Sequence, residues 1–511
     1  MRLITIKNIN KKVVWAALTN SKTIVFSLLM FNFIYRLYIY FNTKLFEFSD
    51  YTGYLNAIET IRETGFIPLK SGNAVYLNSY IGYFFKYVVG SMDYYYIFNC
   101  FIGTLSSFFI YIFIIRITDN KKAGFIYLGL TSFYSEFVAI SSVFYTQVIE
   151  IFLASIMINI LLTLHRSKKV VPVLIYIVFI VVIINFSFFF KGTMRYLWIV
   201  FGLLAIINVK NYRIAIKYLT LTIALYSVNI SIATFFPKID YIFSTTDLNK
   251  NSTVYHLFFG HTLYGGDGGE GTFIYPENRS RFKDNYDKWL KNNNVMVPTI
   301  ETLYQFEKYE IKRFITQHPF QWVELQIYKF MRTFGIVPEG TTFQILFSGL
   351  FSFNWIFTSL FLQIPYTLII LLLILCSDYK VLNKYLHSNF TWVWVVLFIY
   401  WLCGTIFYGP FQERYRIPDM VLFIIPILSF FISRFSYNQL MMNNKSLLLK
   451  AISIILIFSI WTSQAYNALV KRKDRYLPFV ENANNINKFN EALMELDKLE
   501  ESGKIQAWKL K

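Results

Sequence analysis

The sequence predicts an all-α polytopic membrane protein, and three observations carry that expectation. Of its 511 residues 55% are apolar and only 15% charged, against about 25% charged in ordinary soluble domains. Apolar runs of about 18–22 residues recur along the chain, each long enough for a helix to cross a bilayer. They are continuous rather than alternating, which fits helices better than an outer-membrane barrel. The third observation is where the positive charge lies. Most of the net +19 sits in short segments between apolar runs: Arg2, Lys7, Lys11, Lys12 and Lys22; Arg116, Lys121 and Lys122; Arg166, Lys168 and Lys169; Lys210, Arg213 and Lys217; Lys380 and Lys384; Arg434, Lys445 and Lys450. Only Asp119 and Asp378 oppose them. This is the positive-inside pattern; it places the N-terminus in the cytoplasm and argues against nucleic acid as a partner.

About eleven spans follow from these runs, with the two chain ends on opposite sides. Residues 1–236 form an N-terminal membrane module whose first external loop is 42–93; 237–342 form a large external loop; 343–464 form a C-terminal membrane module; 465–511 are a polar tail. The first run is long and lacks a small-residue cleavage site, so it reads as a retained helix rather than a signal peptide. Cys100, Cys376 and Cys403 all fall inside apolar runs, and their spacing builds neither a disulfide framework nor a metal site.

The first external loop opens on Asp50, a carboxylate at the membrane edge, where an ionisable group is costly unless it has a task or a partner. It reads either as a catalytic base or as the acidic start of a helix. Helical spacing of Tyr54, Ile58 and Ile61 follows, ended by Gly65 and Pro68. Residues 74–90, with Lys86 embedded among aromatics, suit an interfacial helix. Spans are expected at about 94–115, 123–141 and 146–164, and Glu136 and Glu150 lie in or near them. Such carboxylates are functional candidates by default, or helix-end groups that reach water.

Lys191 and Arg195 flank a tight external turn between spans five and six, suited to a phosphate-bearing ligand or to lipid headgroups. The large loop carries His256, His261 and a glycine cluster with Asp267 and Glu270. The cluster is no P-loop, for it lacks the Lys-Ser/Thr ending; it suits a flexible lid. His261, Asp267 and Glu270 have no specific metal-ligand spacing, so no metal site is assigned and no cofactor is required, although a divalent metal stays open. Two helices, 279–292 and 300–334, close the loop, the second carrying Lys329. Arg414 and Arg416 precede Pro418, which fits the first turn of a helix, and form a plausible anion clamp at the start of span ten.

Four stretches together resemble the polytopic GT-C-type glycosyltransferases that use lipid-phosphate-linked sugars, among them the protein O-mannosyltransferases and the lipid A aminoarabinose transferases. They are Ser49-Asp50-Tyr51-Thr52-Gly53-Tyr54; the large loop with Phe259-Gly260-His261; Phe314 to Phe320 followed by Lys329 and Arg332; and Glu413-Arg414-Tyr415-Arg416-Ile417-Pro418. Two departures stand out: Ser49 rather than a second acid precedes Asp50, and Gln147 follows Thr146 where many relatives have Glu. The resemblance implies a sugar donor on a polyprenyl phosphate and a glycan or glycolipid acceptor such as O-antigen or lipid A. It implies Asp50 as the base of an inverting transfer, on the periplasmic face of a bacterial inner membrane. Lys191, Arg195, Arg414, Arg416 and Lys86 would stabilise the leaving phosphate. Tyr54, Glu136, His261 and Lys329 would line the substrate site, and membrane lipid would surround the spans. An O-antigen polymerase or ligase is the alternative, and a transporter of lipid-linked saccharides the next.

Overall fold

The computed structural model describes residues 21–42, 50–65, 76–188, 190, 194, 196–235, 279–295, 300–317, 319–320, 323, 326–327, 330, 333–335, 355–377, 389–408, 415–435 and 444–466. Among the described residues every regular element is a helix. In chain order these are α1 (Ser21–Asn42), α2 (Asp50–Thr64), α3 (Tyr76–Tyr83), α4 (Asp93–Thr118), α5 (Lys121–Phe133), α6 (Ser135–Ala139) and α7 (Gln147–Arg166). Then come α8 (Val170–Phe188), α9 (Leu197–Ile207), α10 (Tyr212–Phe235), α11 (Arg279–Asn292), α12 (Ile300–Gln317), α13 (Trp355–Cys376) and α14 (Asn389–Cys403). Last are α15 (Ile417–Arg434) and α16 (Asn444–Tyr466).

Six of these helices are long and apolar enough to cross a membrane: α1, α4, α7, the stretch of α8 to Ser187, the stretch of α10 to Ser231, and α15. The protein is therefore a multi-pass helical membrane protein. Among the described residues a seventh span results if α5 and α6 count as one, and they are bent by 67°. Further apolar helices are shorter, α9 among them at 11 residues; at 1.5 Å per residue that is about 16 Å, half the hydrocarbon thickness. Eleven spans are thus not confirmed by the described residues, where helix length and composition give six, or seven with the bent pair. Large apolar side chains face outward on α8 and α10, Val178, Val182, Leu219 and Ile223 among them. That pattern suits lipid rather than water as the surrounding medium.

The centre of the bundle is the 121–166 segment. Span three, expected at about 123–141, leaves helical geometry at Tyr134 (φ −75°, ψ 89°). It resumes as the short α6, tightens into a 3₁₀ turn over Ile140–Ser142, and crosses an extended Val143 (φ −114°, ψ 147°) before α7 begins. No proline or glycine lies at this break, so tertiary contacts hold it. Every residue from Tyr134 to Glu150 is buried. Non-helical backbone is tolerated at membrane depth where protein covers it. Around it, α4 packs along α7, α1 packs on α4 and α5, and α15 packs on α5 and α13.

Helix α2, the next helix after α1, docks on the break from one side. Tyr54 meets Phe144 and Tyr145 edge-to-face, with centroids 6.1 and 6.0 Å apart. Helix α3 follows it, and Gly82 permits the approach: a Cβ there would lie 2.5 Å from Phe144 and 2.6 Å from Ile58. In the large loop, α11 and α12 pair through Tyr286, Trp289 and Phe306.

Candidate functional site

At the break two of the predicted site residues, Glu136 and Arg416, meet. Glu136 lies in the first turn of α6 and Arg416 caps the start of α15; both side chains have 0% exposure. Arg416 Nε donates to Glu136 Oε2 at 3.1 Å and Nη2 donates to Oε1, a two-pronged ion pair. Nη1 donates to the carbonyls of Thr333 (3.0 Å) and Gly335 (2.6 Å), and Nη2 also to Gln363 Oε1 at 2.7 Å. The Tyr134 hydroxyl donates to Glu136 Oε2 at 2.6 Å, and Gln363 Nε2 to Oε1 at 3.2 Å. The Tyr366 ring lies 3.6 Å from the guanidinium carbon. A guanidinium has five N–H donors, and each of these has a protein acceptor. The arrangement joins the break to α13, α15 and residues 333–335.

Sequence reasoning places Arg416 at a donor phosphate. With all five donors spent on protein groups, it instead serves as a buried tie, for it has none left to offer an anion. One turn further into α15, the fully buried Asp419 accepts from Thr405 at 2.5 Å. Thr405 lies in a π-turn over Gly404–Tyr408, and a second π-turn spans Met420–Ile424. Such turns are rare and concentrate near functional sites. Glu150, at the start of α7, is also buried.

Tyr54 and Glu136 thus belong to one assembly, on either side of the break. Asp50 opens α2 one helical turn before Tyr54, which sets the start of that helix beside the same segment; its side chain is outside the described residues. Lys86 lies further out, in a π-turn over Phe84–Val89 that continues α3. It is paired with Glu59 of α2, which also accepts from the Tyr87 hydroxyl. The Lys86 hydrogen bond holds the Glu59 carboxyl below its ordinary value, and Glu59 in turn raises the Lys86 ammonium. Lys191, Arg195, His261, Lys329 and Arg414 lie outside the described residues. Among the described residues no three His, Cys, Asp or Glu side chains are grouped to hold a metal ion.

Beside the Arg416 tie is an apolar cavity of about 270 Å³, lined by Phe334, Tyr366, Phe398, Ile424, Ile457 and Trp461 among others. Tyr366 belongs to both, for its hydroxyl donates to the Phe334 carbonyl at 2.6 Å while its ring faces the guanidinium.

Sequence reasoning missed Arg36, buried in the middle of an apolar run. It also gave no role to Asn32, Gln363, Tyr366 or Asp419. A charge inside a span is a signal readable from sequence; the partners of Arg416 are not, because they lie far along the chain.

No family model matches the chain, and no curated protein matches it significantly.

Proposed function

We propose that the protein is a membrane glycosyltransferase of the GT-C type, moving a sugar from a polyprenyl-phosphate donor to an envelope glycan or glycolipid such as O-antigen or lipid A. The observation that carries this reading is the docking of α2, which opens on Asp50, against a buried polar break held by the Glu136–Arg416 tie. A base carried on a helix docked against this fixed segment would give an acceptor hydroxyl a set approach. Asp50 takes the proton from that hydroxyl, which attacks the anomeric carbon with inversion while the phosphate leaves. Because Arg416 is saturated, stabilising the leaving phosphate falls to Lys191, Arg195 and Arg414. The apolar cavity beside Tyr366 suits one stretch of prenyl chain. The site faces the periplasm of a bacterial inner membrane in this reading.

The test is transfer from a radiolabelled polyprenyl-phosphate sugar into endogenous glycan, in membranes carrying wild type or Asp50→Asn. Donor-dependent transfer that the variant loses at equal expression supports the proposal. Transfer unchanged in Asp50→Asn refutes Asp50 as the base. No transfer from any donor, with shortened surface glycan in a deletion strain, favours the polymerase instead. The 67° bend between α5 and α6 favours a second reading, a carrier of lipid-linked saccharide, since transporters build their sites from broken helices. Movement of intact labelled lipid across the membrane, without sugar transfer, is its signature.

A further inference from the structure

Among the described residues two arginines are completely buried, Arg36 and Arg416, and they are satisfied very differently. Arg416 has a carboxylate and four further acceptors or hydrogen-bonded neighbours around it. Arg36, six residues before the end of α1 and so about 9 Å from that end, has no carboxylate within pairing distance among the described residues. Its Nε donates to Asn32 Oδ1 at 2.9 Å, and Nη1 donates to the Phe137 carbonyl at 2.7 Å and to Ser141 Oγ. Nη2 is buried with no acceptor among the described residues. Two of five N–H groups are thus unspent on a full positive charge inside an apolar span, where an uncompensated charge is among the costliest groups a protein can bury.

The guanidinium carbon lies 4.1 Å from the centroid of the Phe137 ring, and polar side chains of the same break are buried as well. Ser142, next to Ser141, has a buried hydroxyl without a partner, and so does the Asn99 side-chain oxygen, although the Asn99 amide reaches the Val143 carbonyl at 3.3 Å. Asn99 and Gly103 are four residues apart on one face of α4. At Gly103 a Cβ would lie 2.6 Å from Arg36 Nη1 and 3.0 Å from Ser141 Oγ, so the glycine is what admits the guanidinium. Buried polar atoms are nearly always satisfied, and orphans usually mark a water or ion.

We propose that Arg36 Nη2, with the Ser142 hydroxyl, holds a compact anion at the break, hydrated on the side of Asn99. The close approach at Gly103 limits its size, and the inner charge needs exactly one negative partner to be neutral. The anion's chemistry is a halide or the monoanionic end of a small phosphate. This inference does not rest on the glycosyltransferase reading.

The experiment is thermal unfolding of the full-length protein in a neutral detergent, moved from gluconate to chloride at constant ionic strength, and separately titrated with butyl phosphate. Constant ionic strength removes screening as a cause. Binding to the folded state alone raises Tm, here by roughly 1 °C for each kcal/mol of binding in a protein of this size. A chloride response assigns a free ion; a response to butyl phosphate alone assigns a phosphate-bearing ligand. Arg36→Met must lose either response. Where Arg36→Met gives no folded protein, Ser142→Ala must weaken it. No response of wild type to either anion, or a full response in the variant tested, overturns the proposal. A bromide soak supplies an independent readout: anomalous density beside Nη2 supports the site, and bromide bound only elsewhere overturns a halide there.

Discussion

Replacing Glu136 by Gln removes one negative charge and almost no volume, so its effect isolates the electrostatics of the tie. Glu136 accepts twice from Arg416, once from Tyr134 and once from Gln363, with no exposed surface on either ionic partner. Water cannot take over any of these bonds. The variant leaves the Arg416 guanidinium buried with carbonyls and an amide, all of them neutral. Removing one member of a buried pair costs about 3–5 kcal/mol, a large part of the stability of an ordinary domain. Arg416→Met should cost a similar amount by stranding Glu136. The double variant Glu136→Gln, Arg416→Met should cost clearly less than the sum, with a coupling of about 2 kcal/mol or more. The assay is SDS-induced unfolding of the purified protein in mixed micelles, followed by tryptophan fluorescence. Trp461, whose indole reaches toward the Phe334 carbonyl at 3.4 Å beside the tie, is a suitable reporter. A Glu136→Gln variant within about 0.5 kcal/mol of wild type, or additive single and double variants, would refute the assignment of a desolvated tie.

Other perturbations follow from the same contacts. Gly103→Ala should destabilise by about 1–3 kcal/mol through overpacking against Arg36, read in the same unfolding assay. Lys217→Met should cost about 1–2 kcal/mol, since the Lys217 ammonium donates to the carbonyls of Leu164, His165 and Ser167 at the end of α7. The Glu59–Lys86 tether between α2 and α3 should depend on pH at both ends. The Glu59 pKa is lowered on folding, so its contribution is present above the unfolded carboxylate value and lost as pH falls through the folded one. The Lys86 pKa is raised, so its contribution is present below the unfolded lysine value and lost as pH rises through the folded one. Both side chains are more than a third exposed, which limits the pair to less than about 1 kcal/mol. The protection factor of the α2 amides, with the intrinsic pH dependence of exchange divided out, should therefore be highest in the neutral range, and Lys86→Met should flatten that profile.

The helical membrane class was legible because apolar length and loop charge are local quantities. Most helix ends also fell near the expected residues, as at Asp93, Gln147 and Val170. The break at Tyr134 was not legible, because Thr131, Ser132 and Phe133 continue a helix well enough and nothing local stops it. The distant Arg416 and Arg36 both bond to the bent segment, and neither can be paired with 134–142 by reading the chain. Glu136 was visible as a carboxylate in an apolar run, which marks a site or a buried partner equally. The same ambiguity applied to Arg416. A motif beside a proline suggested an anion clamp, and only the positions of Thr333, Gly335 and Gln363 show where its donors go. Arg36 should have been noticed: a charge four residues after Asn32 within a span carries its own warning.

The Glu136–Arg416 tie also imposes an order on assembly. The two residues are 280 positions apart, so a ribosome delivers Glu136 to the membrane long before its counter-charge exists. Until α15 emerges, the carboxylate must stay hydrated, protonated or shielded by another protein, and the segment after Tyr134 cannot settle into a dry interior. The N-terminal helices therefore wait in an unfinished packing, exposed to quality-control proteases, and a chain truncated before Arg416 should be cleared rather than accumulate.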